Sequence, residues 1–179
     1  MVDRSNDVSA NEFQQEKNFV TTMVRWLGVP SKDSKVGVLL YGSDGVAAIT
    51  FNVYKRTSDF NRAVERLLYY PSGKRRVDMA LARSASLFTS SHSGERKIAF
   101  FLTGGRHVNE AGKREVENAA QWLHNAGVDV FAVGFNNRAS MEGLRHVTKT
   151  DGSIFRVSDS NQLQRETNLI APHVISTAG

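Results

Sequence analysis

The sequence predicts a doubly wound α/β domain: a mainly parallel, Rossmann-like sheet with one antiparallel edge hairpin strand and helices on both faces. Three observations carry that expectation. Several strand-length runs are apolar throughout, as at Val36-Gly37-Val38-Leu39-Leu40-Tyr41 and over 97–103 and 128–135, the pattern of strands covered on both faces. Segments with apolar residues at helical spacing alternate with these runs, as crossover helices do. Gly42-Ser43-Asp44-Gly45 joins two extended stretches directly and predicts a hairpin.

The elements follow in order. Ser9-Ala10-Asn11-Glu12 reads as a capping box, with Val8 and Phe13 at the staple positions, so the first helix starts there. Phe13, Val20, Met23, Val24 and Leu27 mark its apolar face, and Gly28 ends it. The hairpin pairs 36–41 with 47–53. Phe60, Ala63, Val64, Leu67 and Leu68 repeat at helical spacing, as do Ala80, Leu81, Ser84, Leu87 and Phe88 after the Pro71-Ser72-Gly73 break. A strand over 97–103, a helix around 110–125 and a strand over 128–135 come next. A short helix near 141–147, a strand over 154–157 and a last helix near 161–175 complete the alternation. Leu163, Ile170 and Val174 give the last helix an apolar side, and Pro172 is expected to interrupt its end. Trp26, Trp122 and most of the phenylalanines fall in these patterns and are expected in the core. One element is short: only Met1 and Val2 precede the loop at 3–7, where a central parallel strand needs about five residues. The expectation is a truncated first strand, with a stub tolerated at mid-sheet as the alternative.

A length of 179 residues fits one domain over 1–179, and 40% hydrophobic with 23% charged content is that of a soluble globular chain. No stretch approaches the roughly 20 apolar residues of a membrane-spanning helix, and the polar start is not a signal peptide, so no membrane insertion is expected. The absence of cysteine is compatible with reducing and secreted settings alike. No Gly-x-Gly-x-x-Gly follows a strand, and neither a phosphate loop nor a Gly-x-Ser-x-Gly elbow occurs. Enzymatic, nucleotide-binding and nucleic-acid readings therefore have no support. His92, His107, His124, His146 and His173 lack paired ligand spacing.

Three loops fall at the carboxyl ends of the strands, the edge where open α/β sheets bind ligands. They carry Asp3-Arg4-Ser5-Asn6-Asp7, then Gly73-Lys74-Arg75-Arg76-Val77-Asp78-Met79-Ala80-Leu81, then Thr103-Gly104-Gly105. Asp3-x-Ser5-x-Asp7 also looks like the start of a helix-loop-helix calcium loop. Val8 and Gln14 stand where that loop needs glycine and glutamate, which rejects it.

In these loops, in the helix at 13–24, in Lys35-Val36-Gly37-Val38-Leu39-Leu40-Tyr41-Gly42-Ser43 and in Gly127-Val128-Asp129-Val130-Phe131-Ala132-Val133-Gly134, the chain resembles the von Willebrand factor type A domain, closest in style to the modules of matrilin-like and collagen VI-like matrix proteins. The resemblance covers nearly the whole chain. It implies a metal-ion-dependent adhesion site built from an Asp-x-Ser-x-Ser loop, a threonine shortly before an Ala-Leu pair and a Thr-Asp-Gly turn. Asp3 and Ser5 match the first loop and Asp7 replaces its second serine, while Arg75 stands at the threonine and Gly104 at the aspartate. Two ligands are missing, and a guanidinium that does not deprotonate stands in the gap.

The expected site is therefore degenerate: Asp3, Ser5, Asp7, Arg75, Thr103 and Gly104, with Arg75 as a built-in cation. Two alternatives stand beside it. Asp3, Ser5 and Asp7 could hold only the turn before the first helix, or they could keep weak magnesium or calcium binding, because Asp7 restores a carboxylate. Arg4, Lys74, Arg76, Arg106 and His107 form an expected basic rim, net positive against Asp3, Asp7 and Asp78. The resemblance implies non-catalytic recognition of a protein ligand, such as collagen, in the extracellular matrix as part of a larger chain. The alternatives are glycosaminoglycan binding through the basic rim and an intracellular scaffold of the same fold.

Overall fold

The computed structural model of the chain describes residues 1–89, 96–104, 112–159 and 161–176. Its strands are β1 (Val2–Asp3), β2 (Val38–Tyr41), β3 (Gly45–Ile49), β4 (Lys97–Thr103), β5 (Val128–Gly134) and β6 (Ile154–Arg156). β1 lies parallel to β2, β2 antiparallel to β3, and β4, β5 and β6 are parallel. The two ladders meet at Met1, whose nitrogen donates to the Phe100 carbonyl at 2.6 Å and whose carbonyl accepts from Leu102 N–H at 3.1 Å. β1 thus sits between β2 and β4, giving the sequence β3-β2-β1-β4-β5-β6 across the molecule.

Helix α1 (Ala10–Leu27) begins at the expected capping box: Glu12 N–H donates to Ser9 Oγ at 3.2 Å, and Ser9 N–H donates to the Glu12 carboxylate at 2.6 Å. It ends at Gly28, at φ 64°, a left-handed conformation open to a residue without a Cβ. Helices α2 (Thr57–Glu65) and α6 (Leu163–Ser176) join α1 on one face, where Phe13, Phe19, Met23, Phe60, Val64 and Ile170 are buried together. Helices α3 (Val77–Thr89), α4 (Lys113–Asn125) and α5 (Met141–Arg145) cover the other, around Leu81, Leu123, Leu144 and Tyr41. Side chains along β4 alternate between the two cores, Leu102 facing one and Ala99 and Phe101 the other.

Three expectations are corrected. The hairpin strand is Gly45–Ile49, because Tyr41 already pairs with Gly45, and Asn52, at φ 71°, turns the chain away. Pro172 does not interrupt α6, which continues to Ser176 with Val174 buried beyond it. Trp26 and Trp122 are 48% and 58% exposed. Each falls off the inward stripe of its helix, which Phe13, Phe19 and Met23 form in α1 and Val116, Ala119, Ala120 and Leu123 in α4. The first strand is short as expected: Val2 and Asp3 alone form β1 and hold the centre.

An acidic side chain ties β1 to α1. Glu16 is fully buried, its Oε2 accepts from Asp3 N–H at 2.7 Å, and its Oε1 has no hydrogen-bond partner among the described residues. Burial, and next the neighbouring Asp3 carboxylate, raise the Glu16 acid well above its ordinary value of 4.5. A folded-state value above the unfolded one means that the group's favourable contribution is complete below the unfolded value and fades as pH rises through the folded one.

Two outcomes follow. Stability measured by urea denaturation as a function of pH will fall for the wild type relative to Glu16→Gln as pH rises above 4.5, and parallel curves would remove this account of Glu16. Phe101, fully buried with its ring centroid 5.4 Å from that of Tyr41, will lose about 3–5 kcal/mol on replacement by alanine in the same assay.

Candidate functional site

The site is assembled by backbone bonds before any side chain acts. Arg4 N–H donates to the Tyr41 carbonyl at 2.7 Å, which carries the chain past the end of β1. The segment before α3 is then laid against it: Ser72 N–H donates to the Arg4 carbonyl at 2.9 Å, and Asn6 N–H to that of Gly73 at 2.9 Å. Arg76 N–H reaches the Gly42 carbonyl at 2.7 Å. Arg75, between these ties, has no route for its side chain but inward.

Its guanidinium is 2% exposed and sits among the first-loop residues. Nε donates to Asp3 Oδ2 at 2.6 Å, Nη2 to Ser5 Oγ at 3.1 Å, and Nη1 forms an ion pair with Asp7 Oδ2 at 3.3 Å. Asp3, fully buried, also accepts from Ser5 N–H at 2.9 Å and Thr103 Oγ1 at 3.4 Å. Burial opposes the charge on Arg75, yet the carboxylates of Asp3 and Asp7 and the Tyr41 hydroxyl leave its pKa above the ordinary arginine value. The Tyr41 hydroxyl donates to the Leu102 carbonyl at 2.5 Å, and burial, then Asp3, push it well above its usual value. Asp3, Ser5, Asp7, Arg75 and Thr103 are thus brought together as one connected cluster. An ion pair this deep is costly to break from one side, about 3–5 kcal/mol, because the remaining charge is stranded.

This donor set does not fit a divalent ion. Magnesium needs near-octahedral oxygens at about 2.0–2.1 Å, and the Asp3 oxygen that faces the cluster is held by a guanidinium nitrogen. A carboxylate at Gly104 would require the Phe135 ring to move, since a Cβ there would lie 2.5 Å from its Cε2. Among the described residues no group of three or more metal-ligating side chains converges.

The expected net positive edge is described only in part. Arg106 and His107 lie outside the described residues. Arg4 pairs with Asp44 at 2.8 Å and Arg76 with Asp78 at 2.6 Å, and Lys74 is exposed. Burial pushes the Asp44 carboxyl up, but hydrogen bonds from Ser72 and Arg4 outweigh it and hold the group below its ordinary value. Two rim residues escaped the sequence reading: Arg138, after β5, is paired with Glu12 at 2.7 Å, and Asn136 donates to the same carboxylate. The loop rule that found the other three loops also applies at the end of β5, and Glu12 had been read only as a cap. Arg4, Lys74, Arg75, Arg76 and Arg138 now stand against Asp3, Asp7, Glu12, Asp44 and Asp78, so the described rim is balanced.

Comparison with known proteins agrees with this architecture. The chain is 26% identical over 177 residues to Matrilin-3 of Gallus gallus, covering 94% of this chain and 38% of that protein. It is 22% identical over 182 residues to the collagen alpha-4(VI) chain of Mus musculus, of which it spans 8%. Among solved structures, proximal thread matrix protein 1 from the mussel byssus, in a form with a zinc-occupied MIDAS motif, superposes with a TM-score of 0.86 at 19% identity, over 97% of this chain and 46% of that one. The chain spans well under two thirds of each of these proteins. The model of the von Willebrand factor type A domain matches residues 1–168, and the chain belongs to that family.

Proposed function

We propose that this chain is a non-catalytic protein-recognition module of an extracellular matrix protein, and that it engages its partner without a divalent metal. The observation that carries the reading is the Arg75 guanidinium lodged 2.6 Å from Asp3 in the family's metal-binding loops. A permanent internal cation holds the first and second loops together, the cohesive role that an ion plays where several oxygens converge. The matrix setting is supported by the relatives, a matrilin and a collagen VI chain, and a protein ligand such as another matrix protein fits a rim whose described arginines are paired with carboxylates. Recognition also accords with a sequence that carries no nucleotide-binding or hydrolase motif.

Glycosaminoglycan binding is the lesser reading, because four of the five described rim cations face a carboxylate of the same chain. Polyanion affinity depends on unpaired positive charge and falls with ionic strength.

Titration calorimetry with magnesium will show no saturable heat in the wild type. The triple variant Arg75→Thr, Gly104→Asp, Phe135→Leu, the last change clearing the ring, will acquire it. Firm binding by the wild type, or no gain in a folded triple variant, overturns the metal-independent reading. On a heparin column the chain will elute below about 0.15 M salt, near the ionic strength of physiological screening. Retention well above that returns the polyanion reading to first place.

A further inference from the structure

Among the described residues of the Asp3–Arg75 cluster, the charge that reaches solvent is negative. Asp7 is 64% exposed on its side chain, while the guanidinium behind it is 2% exposed. That single cation is shared by two carboxylates, Asp3 at 2.6 Å and Asp7 at 3.3 Å, so the three side chains together carry one surplus negative charge. Asp7 holds the longer, weaker contact, and its remaining acceptor capacity faces outward. A partner carboxylate arriving here would meet Asp7 first and could not reach Arg75, so like charges would be pressed together.

Beside Asp7 a basin of about 440 Å³ opens between Asn6, Ser9, Asn11 and Arg138. The amides and the hydroxyl can accept the further protons of an ammonium or guanidinium once one of them bonds Asp7. Arg138 in the basin wall pairs with Glu12 at 2.7 Å, and its Nη1 also lies 3.5 Å from the Asp7 carbonyl; with Glu12 lining the basin as well, two acids face its one cation. Charge, exposure and shape agree on the same class of guest.

We propose that Asp7 seats a lysine or arginine side chain of the protein that this face recognises. The proposal rests on the recognition role argued above and adds the polarity: a metal-bearing site presents a cation and takes an acid, whereas this one presents an acid and takes a cation. Asp7 is the residue that sets this preference, and Arg75 positions it from below.

The test is panning of a phage-displayed random peptide library on the immobilised 179-residue chain, with the selected peptides synthesised and measured against Asp7→Asn, Arg138→Ala and, as a distant control, Asp59→Asn. Circular dichroism checks that each variant is folded. Selected peptides will contain a lysine or arginine whose replacement by alanine lowers affinity about tenfold or more, as for a charge-assisted hydrogen bond. Asp7→Asn will cause a similar loss, the two losses will not add, and Asp59→Asn will change nothing. Peptides that depend on a glutamate or aspartate, or that lose affinity with Arg138→Ala but not with Asp7→Asn, overturn the polarity and leave the recognition face standing. A library that yields no peptide sensitive to any rim variant overturns both.

Discussion

The contact on which this molecule's upper edge depends is the buried pair of Asp3 and Arg75. Asp3 ends the central strand and cannot leave the interior without unpairing β1 from β2. Its carboxylate is therefore fixed in a low-dielectric place, where an unpaired charge is expensive. Arg75 meets that need from a loop that is itself bonded to the first loop at Asn6 and Arg4. Backbone and side chain reinforce each other: the loop ties aim the guanidinium, and the guanidinium keeps the loops closed. The absence of an aspartate at Gly104 follows from the same economy, since a third acid would add negative charge to a cluster already served by one cation.

Much of this was legible in the residues. Apolar runs without alternation announced β4 and β5 at their observed positions, because strands buried on both sides have no solvent face to encode. The capping box and Gly28 marked both ends of α1, since those positions have stringent local chemistry. Asp3, Ser5, Arg75 and Thr103 could be placed together because topology puts their loops on one edge. The tryptophans could not be placed, because helical spacing tells which residues share a stripe but not how wide the buried stripe is. The ion pairs of the rim were not legible for a different reason: contacts such as Arg4 with Asp44 and Arg138 with Glu12 join residues far apart in sequence, and only the fold brings them within reach.

The interior beneath the site is unusually polar for a sheet centre. Glu16, Tyr41, Thr103 and Asp3 are all fully buried there. Each satisfies part of another or of the backbone: Glu16 receives the Asp3 amide, and Tyr41 reaches the Leu102 carbonyl. Such a network exchanges some stability for a fixed arrangement of the loops above it, which suits a surface that must present a single geometry to a partner.

The Phe135 ring pressed against Gly104 has a consequence for descent. A lineage carrying this arrangement would need to change the arginine, the glycine and the aromatic ring together to hold an ion there, because removing the arginine alone strands an acid and adding a side chain at Gly104 alone collides with the ring. Turning this centre into an ion site therefore asks for changes made in concert rather than one at a time.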